Sequence, residues 1–264
     1  MRARLSLVLV LTTLPLNLAA QEESGGGFIG GLLESALSGE NRNVTVTGLS
    51  GALSSSLTLE RLTMSDDQGV WLTISGATLD WTRSALLRGR LDVSTLSAES
   101  IVLERLPAAS EDEADLPSPE ATPFQLPELP VAVSIGEIAV NSFSLGEPVV
   151  GIAAELSLAG ALTLAEGALD TDISVTRLDR PSDVITLDAS FSNETSVIAL
   201  DFETTEAQGG LLSELLNIPG RPSVSLTAAG EGPLTDFTAD IALATDGAPR
   251  VTGQVRLRDA AAQG

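Results

Sequence analysis

From Asn43 onward, apolar side chains recur mainly at every second position, the period of strands with one buried face. The clearest stretch is residues 69–93. Val70, Leu72 and Ile74 alternate there with Trp71, Thr73 and Ser75. After Gly76 the alternation resumes on the opposite parity with Ala77, Leu79 and Trp81. A glycine followed by a parity switch marks a bulge or a sharp bend, so a pair of strands is expected around Gly76. Residues 83–88 interrupt the pattern with a short helical turn, and Leu91 and Val93 open the next strand.

The same period appears at Val44 and Val46, at Leu57 and Leu59, and then at Leu62 and Met64. It continues through residues 91–106 and resumes at Val131. Leu156 with Leu158, Ile173 with Val175, and residues 184–191, 197–202, 224–228, 237–243 and 251–257 complete the series. About a dozen strands result, which at about 4.8 Å spacing make a sheet about 55 Å along its stacking direction.

Two stretches carry helical spacing instead. In residues 28–38, Phe28, Ile29, Leu32, Leu33, Ala36 and Leu37 recur at intervals of three and four. The polar side of this helix has no basic residue. It therefore reads as a cap on one end of a sheet rather than as a helix at a membrane surface. Residues 211–218, ending at Pro219-Gly220, form the second expected helix.

Residues 107–130 differ in kind, with six prolines and six acidic residues. Proline offers no ladder donor, so this stretch is expected as an extended acidic loop between two β segments, 43–106 and 131–264. Its carboxylates, Glu111, Asp112, Glu113 and Asp115, do not follow calcium-loop spacing. Upstream, residues 1–20 combine Arg2 and Arg4 with a broken apolar run and Ala19-Ala20. They read as a secretory signal peptide, with an uncleaved membrane anchor as the alternative. Residues 21–42 hold the Gly-rich lead and the first helix.

Composition narrows the chemistry. The chain has 36 acidic and 14 basic residues, a formal net charge of −22, so nucleic acid is not an expected partner. It has no His, no Cys and no Lys, which removes Ser-His-Asp arrangements, thiolate chemistry and Schiff bases. Carboxylate pairs remain, but with no Tyr the only large sugar-stacking surfaces are Trp71 and Trp81, and both fit the strand pattern. No enzymatic activity, cofactor or metal is expected. Aromatic residues make up only 3% of a 43% hydrophobic chain, which favours long aliphatic surfaces over a compact aromatic core. Two glycosylation sequons, at Asn43 and Asn193, are short enough to arise by chance.

Residues 66–93, DDQGVWLTISGATLDWTRSALLRGRLDV, resemble the N-terminal part of the TamB/AsmA-like family, the inner component of the bacterial translocation and assembly module. Residues 48–66 fit the same family. Residues 230–243, GEGPLTDFTADIAL, look like its recurring G-x-G-P-L-x-D-hydrophobic unit. The resemblance implies a mainly β fold: a long, curled, taco-like, antiparallel-rich sheet with an apolar inner groove and two short helices. It implies a periplasmic bridge supporting phospholipid transport between inner and outer membranes. Attachment to the inner membrane would then fall to residues 1–20. The side chains expected to line the groove against phospholipid acyl chains are Val70, Leu72, Ile74, Leu79, Leu91 and Val93. The resemblance equally implies a role in inserting outer-membrane proteins or autotransporters, with an Omp85-type (TamA-like) barrel as partner. The family's C-terminal region is not visible after Arg258, so the second β segment is expected to be truncated.

Overall fold

In a computed structural model, the described residues are 34, 38–39, 42–51, 54–108, 125–127, 129 and 131–258. Most of the predicted helix at 28–38, most of the acidic loop and the whole of residues 1–20 lie outside them. Among the described residues, twelve strands form one sheet in which each strand pairs with its sequence neighbours. They are β1 (Asn43–Thr47), β2 (Ser56–Asp66), β3 (Gly69–Thr82), β4 (Arg90–Leu103), β5 (Ala132–Leu145) and β6 (Ala154–Ala165). The second half comprises β7 (Ala168–Arg177), β8 (Val184–Ser192), β9 (Val197–Glu206), β10 (Val224–Pro233), β11 (Asp236–Thr245) and β12 (Ala248–Arg258). The sheet does not close on itself.

Every junction is antiparallel except β4 with β5, which run parallel. A parallel pair cannot be joined by a hairpin and needs a long crossover, and residues 104–131 supply it. The two β segments read from the sequence are thus halves of one sheet. The crossover leaves at a fixed corner. Arg105 pairs with the carboxylate of Asp66 in the β2–β3 turn and also donates to the carbonyl of Gly69, at 2.8 Å. The N–H of Ala108 donates to Asp66 at 2.9 Å. Hydrogen bonding from Arg105 holds the Asp66 carboxyl well below the usual carboxylate range.

Among the residues described from 42 to 258, three short helices accompany the strands, two of them read from the sequence. α1 (Arg83–Leu86) is the predicted helical turn, held by its fully buried Ala85. α2 (Glu147–Val150) follows β5 and was not legible, because four residues are too few to show a helical period. α3 (Leu211–Leu215) is the predicted second helix, shorter by one turn at its C-terminal end.

The expected pair of strands around Gly76 is instead a single strand, β3, that bends at Gly76, where φ is +60°. The bend is shared. Apolar positions shift parity at the same level on four adjacent strands: between Leu59 and Leu62, Ile74 and Ala77, Ala98 and Ile101, and Val140 and Phe143. On β5 the shift is a bulge, since Asn141 and Ser142 together oppose one residue of β6. A second bulge on β5 places Gly136 and Glu137 against one residue, and Ser94 is the matching extra residue on β4. Bulges bend a strand and increase its twist, so the first half of the sheet is bent along two lines that cross its strands.

Candidate functional site

Ladder partners sit side by side on one face of a sheet, which allows the faces to be traced. Strand β6 runs without a bulge along β7, so Leu156, Leu158, Leu162 and Leu164 share one face. Their β5 partners are Phe143, Val140, Ile135 and Val133. The β4 partners of those are Ile101, Ala98, Val93 and Leu91. The bulges therefore do not send apolar residues to the wrong side; they keep them all on one. Without the extra residues, half of each strand would turn its aliphatic side chains to the polar face.

Two rows show the extent of this face. One runs Leu59, Ala77, Ala98, Val140, Leu158, Val175, Ile185, Thr204, Leu226, Leu243, Val251. The next runs Leu57, Leu79, Leu96, Ile138, Gly160, Ile173, Leu187, Phe202, Ala228, Ile241, Gly253. Both cross eleven strands with Thr204 as the single polar side chain. The opposite face is different. Its row Thr58, Thr78, Ser97, Ala139, Ala159, Ser174, Thr186, Glu203 is small or polar throughout. Asp172, Asp188 and Asp201 stand directly beside one another there. Like charges opposite each other are destabilising, so this face is kept wet.

Among the described residues no second sheet covers the apolar face. Leu57, Leu59, Leu72, Ile74, Leu79, Ile173 and Leu187 are only half-buried. The buried apolar residues, such as Leu62, Val93, Ala98 and Leu156, are few for so large a sheet. Trp81 stands in this face beside Val93, with its indole N–H buried and unpartnered by protein atoms, and Trp71 has the same unpartnered N–H.

Five of the six predicted lining residues stand in this face. Leu72 pairs with Met64 and Leu103, Ile74 with Leu62 and Ile101, Leu79 with Leu57 and Leu96. Leu91 pairs with Val133, and Val93 with Trp81 and Ile135. Val70 does not join them. An extra residue at Trp71 shifts the register, so Val70 pairs with Ser65, lies on the polar side and is 44% exposed. The alternation in the sequence carries Val70 along with Leu72; only the pairing reveals the slip.

Sequence reasoning missed two features of this face. At the end where β5 and β8 begin and finish, the returning crossover packs Leu126 against the sheet. Asn193 fixes it by accepting from the Leu126 N–H at 2.8 Å and donating to its carbonyl at 2.9 Å. The Asn193 sequon is thus occupied by a structural amide. A cavity of about 720 Å³ opens there, lined by Leu126, Leu129, Val131, Leu164 and Asn193 among others. At the opposite end, the apolar row Val46, Leu62, Ile74, Ile101, Phe143, Leu156 runs into Arg177 on β7. Asp183, whose carbonyl accepts the Arg177 N–H, and Glu206 continue that row. All three are more than nine-tenths buried. The residues lie far apart in the chain and only the register unites them.

Compared with known proteins, the chain matches no family model, no curated protein and no solved structure. Among the described residues no helix is long and apolar enough to cross a membrane, and no group of three acidic side chains could hold a metal ion.

Proposed function

We propose that the chain is a periplasmic bridge segment that carries phospholipid acyl chains along its apolar face, between inner and outer membranes. The observation that supports this reading most is the uncovered aliphatic surface that runs through eleven strands with one hydroxyl in two rows. Each methylene kept from water contributes about 0.8 kcal/mol, so a 16-carbon chain in water forfeits on the order of 12 kcal/mol. A path for such a chain must be apolar from end to end, and aliphatic rows without polar anchors let it slide without deep trapping. The bends in β2–β5 favour a sheet curled over this face, a groove rather than a plane. The resemblance to the TamB/AsmA-like family is consistent with the same reading. Protein purified from periplasm under mild conditions is expected to yield phospholipid in its apolar extract by mass spectrometry. An extract free of acyl lipid, at stoichiometric detection, contradicts the proposal.

A second reading rests on a separate observation. The two edges of the sheet are unequal. The outward N–H groups of Val44 and Val46 on β1 donate to Ser38 Oγ (3.0 Å) and Glu34 Oε1 (2.6 Å). Among the described residues, β12 has no such cover, and its Val251, Val255 and Leu257 are about half exposed. A bare edge strand can accept an incoming strand, which favours an assembly role with an Omp85-type barrel. Copurification of a barrel protein in place of lipid would favour this reading over the first.

A further inference from the structure

The three buried ionisable groups at the end of the apolar face lie beneath one small element. Residues 209–221 leave β9, form α3 and return to β10. The Gly209 N–H donates to the Arg221 carbonyl at 2.8 Å, so the two feet of this flap are tied together. A loop with joined ends is a compact unit of its own. Gly209 and Gly220 both take positive φ, +75° and +81°, at its two ends. The flap covers the face with Leu211, which meets Leu156, Val175 and Arg177 in one small cavity, and with the fully buried Ser213. Leu215 and Leu216 on its outer side are exposed, and among the described residues α2 meets the flap at one flank, where the Glu214 side chain lies against Gly151.

We propose that α3 is a lid: docked, it covers Arg177, Asp183 and Glu206; lifted, it exposes three ionisable groups on the surface that a hydrocarbon tail would cross. The docked state is not a settled core. Arg177 Nη1, Asp183 Oδ2 and Thr204 Oγ1 are buried beneath it with no partner among the protein's atoms. Each such group opposes docking. The contacts that favour docking are few. Glu206 accepts from the N–H groups of Leu212 and Ser213; the bond from Ser213 Oγ to the Gly210 carbonyl, 2.9 Å, lies within the flap, and that from Arg180 to the Gln208 carbonyl, 2.8 Å, holds only the residue before it.

Glu206 couples the lid to pH. Burial pushes its carboxyl up, and Asp183 adds to the shift; the two N–H donors and Arg177 oppose it. The other charged groups facing it are Asp179, which Arg177 holds in its ionised form, Arg180 on the β7–β8 turn, and Glu214 paired with Arg221 on the flap. A carboxyl raised by docking favours docking when protonated. The lid is therefore held most firmly below the ordinary glutamate value, about 4.3, and loosens as pH rises above it.

What the lid controls depends on the acyl-carrier reading; its motion does not. Hydrogen exchange of the full chain without lipid, corrected for intrinsic rates, tests it from pH 4 to pH 8. Protection of residues 211–216 should fall severalfold across that range while β7 and β9 hold theirs. Glu206→Gln should flatten the profile and raise protection at pH 7.5. Flat protection in the wild-type chain, which needs no variant, overturns the lid and leaves the carrier proposal standing. The pH-dependent exchange together with a periplasmic preparation whose apolar extract holds no acyl lipid would do the reverse.

Discussion

Leu79→Asp is expected to reduce the phospholipid that copurifies with the chain by at least about tenfold, while Thr78→Asp leaves it unchanged. The two substitutions add the same charge one residue apart. Leu79 stands between Leu57 and Leu96 in an apolar row, and Thr78 between Thr58 and Ser97 on the other face. A carboxylate in the row breaks contact with about two methylenes, which forfeits about 1.6 kcal/mol, a factor of about fifteen. Leu79 is only half-buried, so the loss of its own packing is modest and the sheet keeps its fold. Equal loss in both variants would mean that net charge, not the face, decides lipid content.

Gly76→Val is the substitution expected to damage the fold most. Two effects meet at this residue. Its φ of +60° is strained for any side chain, and a Cβ there would lie 2.5 Å from the Glu99 side chain. Glu99 is flexible and can move, so the backbone term is the larger, roughly 2–3 kcal/mol for a β-branched residue. Urea denaturation should show that loss, and adding Glu99→Ala should not restore it. Gly253→Val is the control. It has an ordinary φ and open space around its Cβ, and should change stability by less than about 0.5 kcal/mol. Full rescue of Gly76→Val by Glu99→Ala would show that crowding, not conformation, requires the glycine.

Much of this architecture was legible in the sequence, because a sheet wet on one side writes its period into the chain. The alternation placed the strands from Val184 to Leu257 within a few residues, and Gly76 announced its bend by a change of parity. The companion bends were equally visible in hindsight. Leu59 to Leu62, Val93 to Leu96, Ala98 to Ile101, Ile135 to Ile138 and Val140 to Phe143 each replace a spacing of two by three. Read together, they predict two creases that cross several strands. The direction of β5 was less visible, since a two-residue period is blind to direction. Only the length of the connection at 104–131 hints that β4 and β5 run parallel, because hairpins need few residues.

The charged row was beyond any reading of periodicity. Arg177 looks like the polar end of β7, Asp183 like a turn residue and Glu206 like the polar end of β9. Pairing sets them in one line on the apolar face, and the five residues of α3 then bury them. Val70 failed for the opposite reason: its local pattern was right, and a single extra residue at Trp71 turned it away.

Two neighbouring residues offer the most direct test of whether hydrocarbon travels on one side of the sheet. A photo-reactive side chain placed at Leu187 should crosslink phospholipid in cells, and the same group at Thr186 should not. Equal capture at both, or capture at Thr186 alone, would contradict the assignment of the aliphatic side as the lipid path.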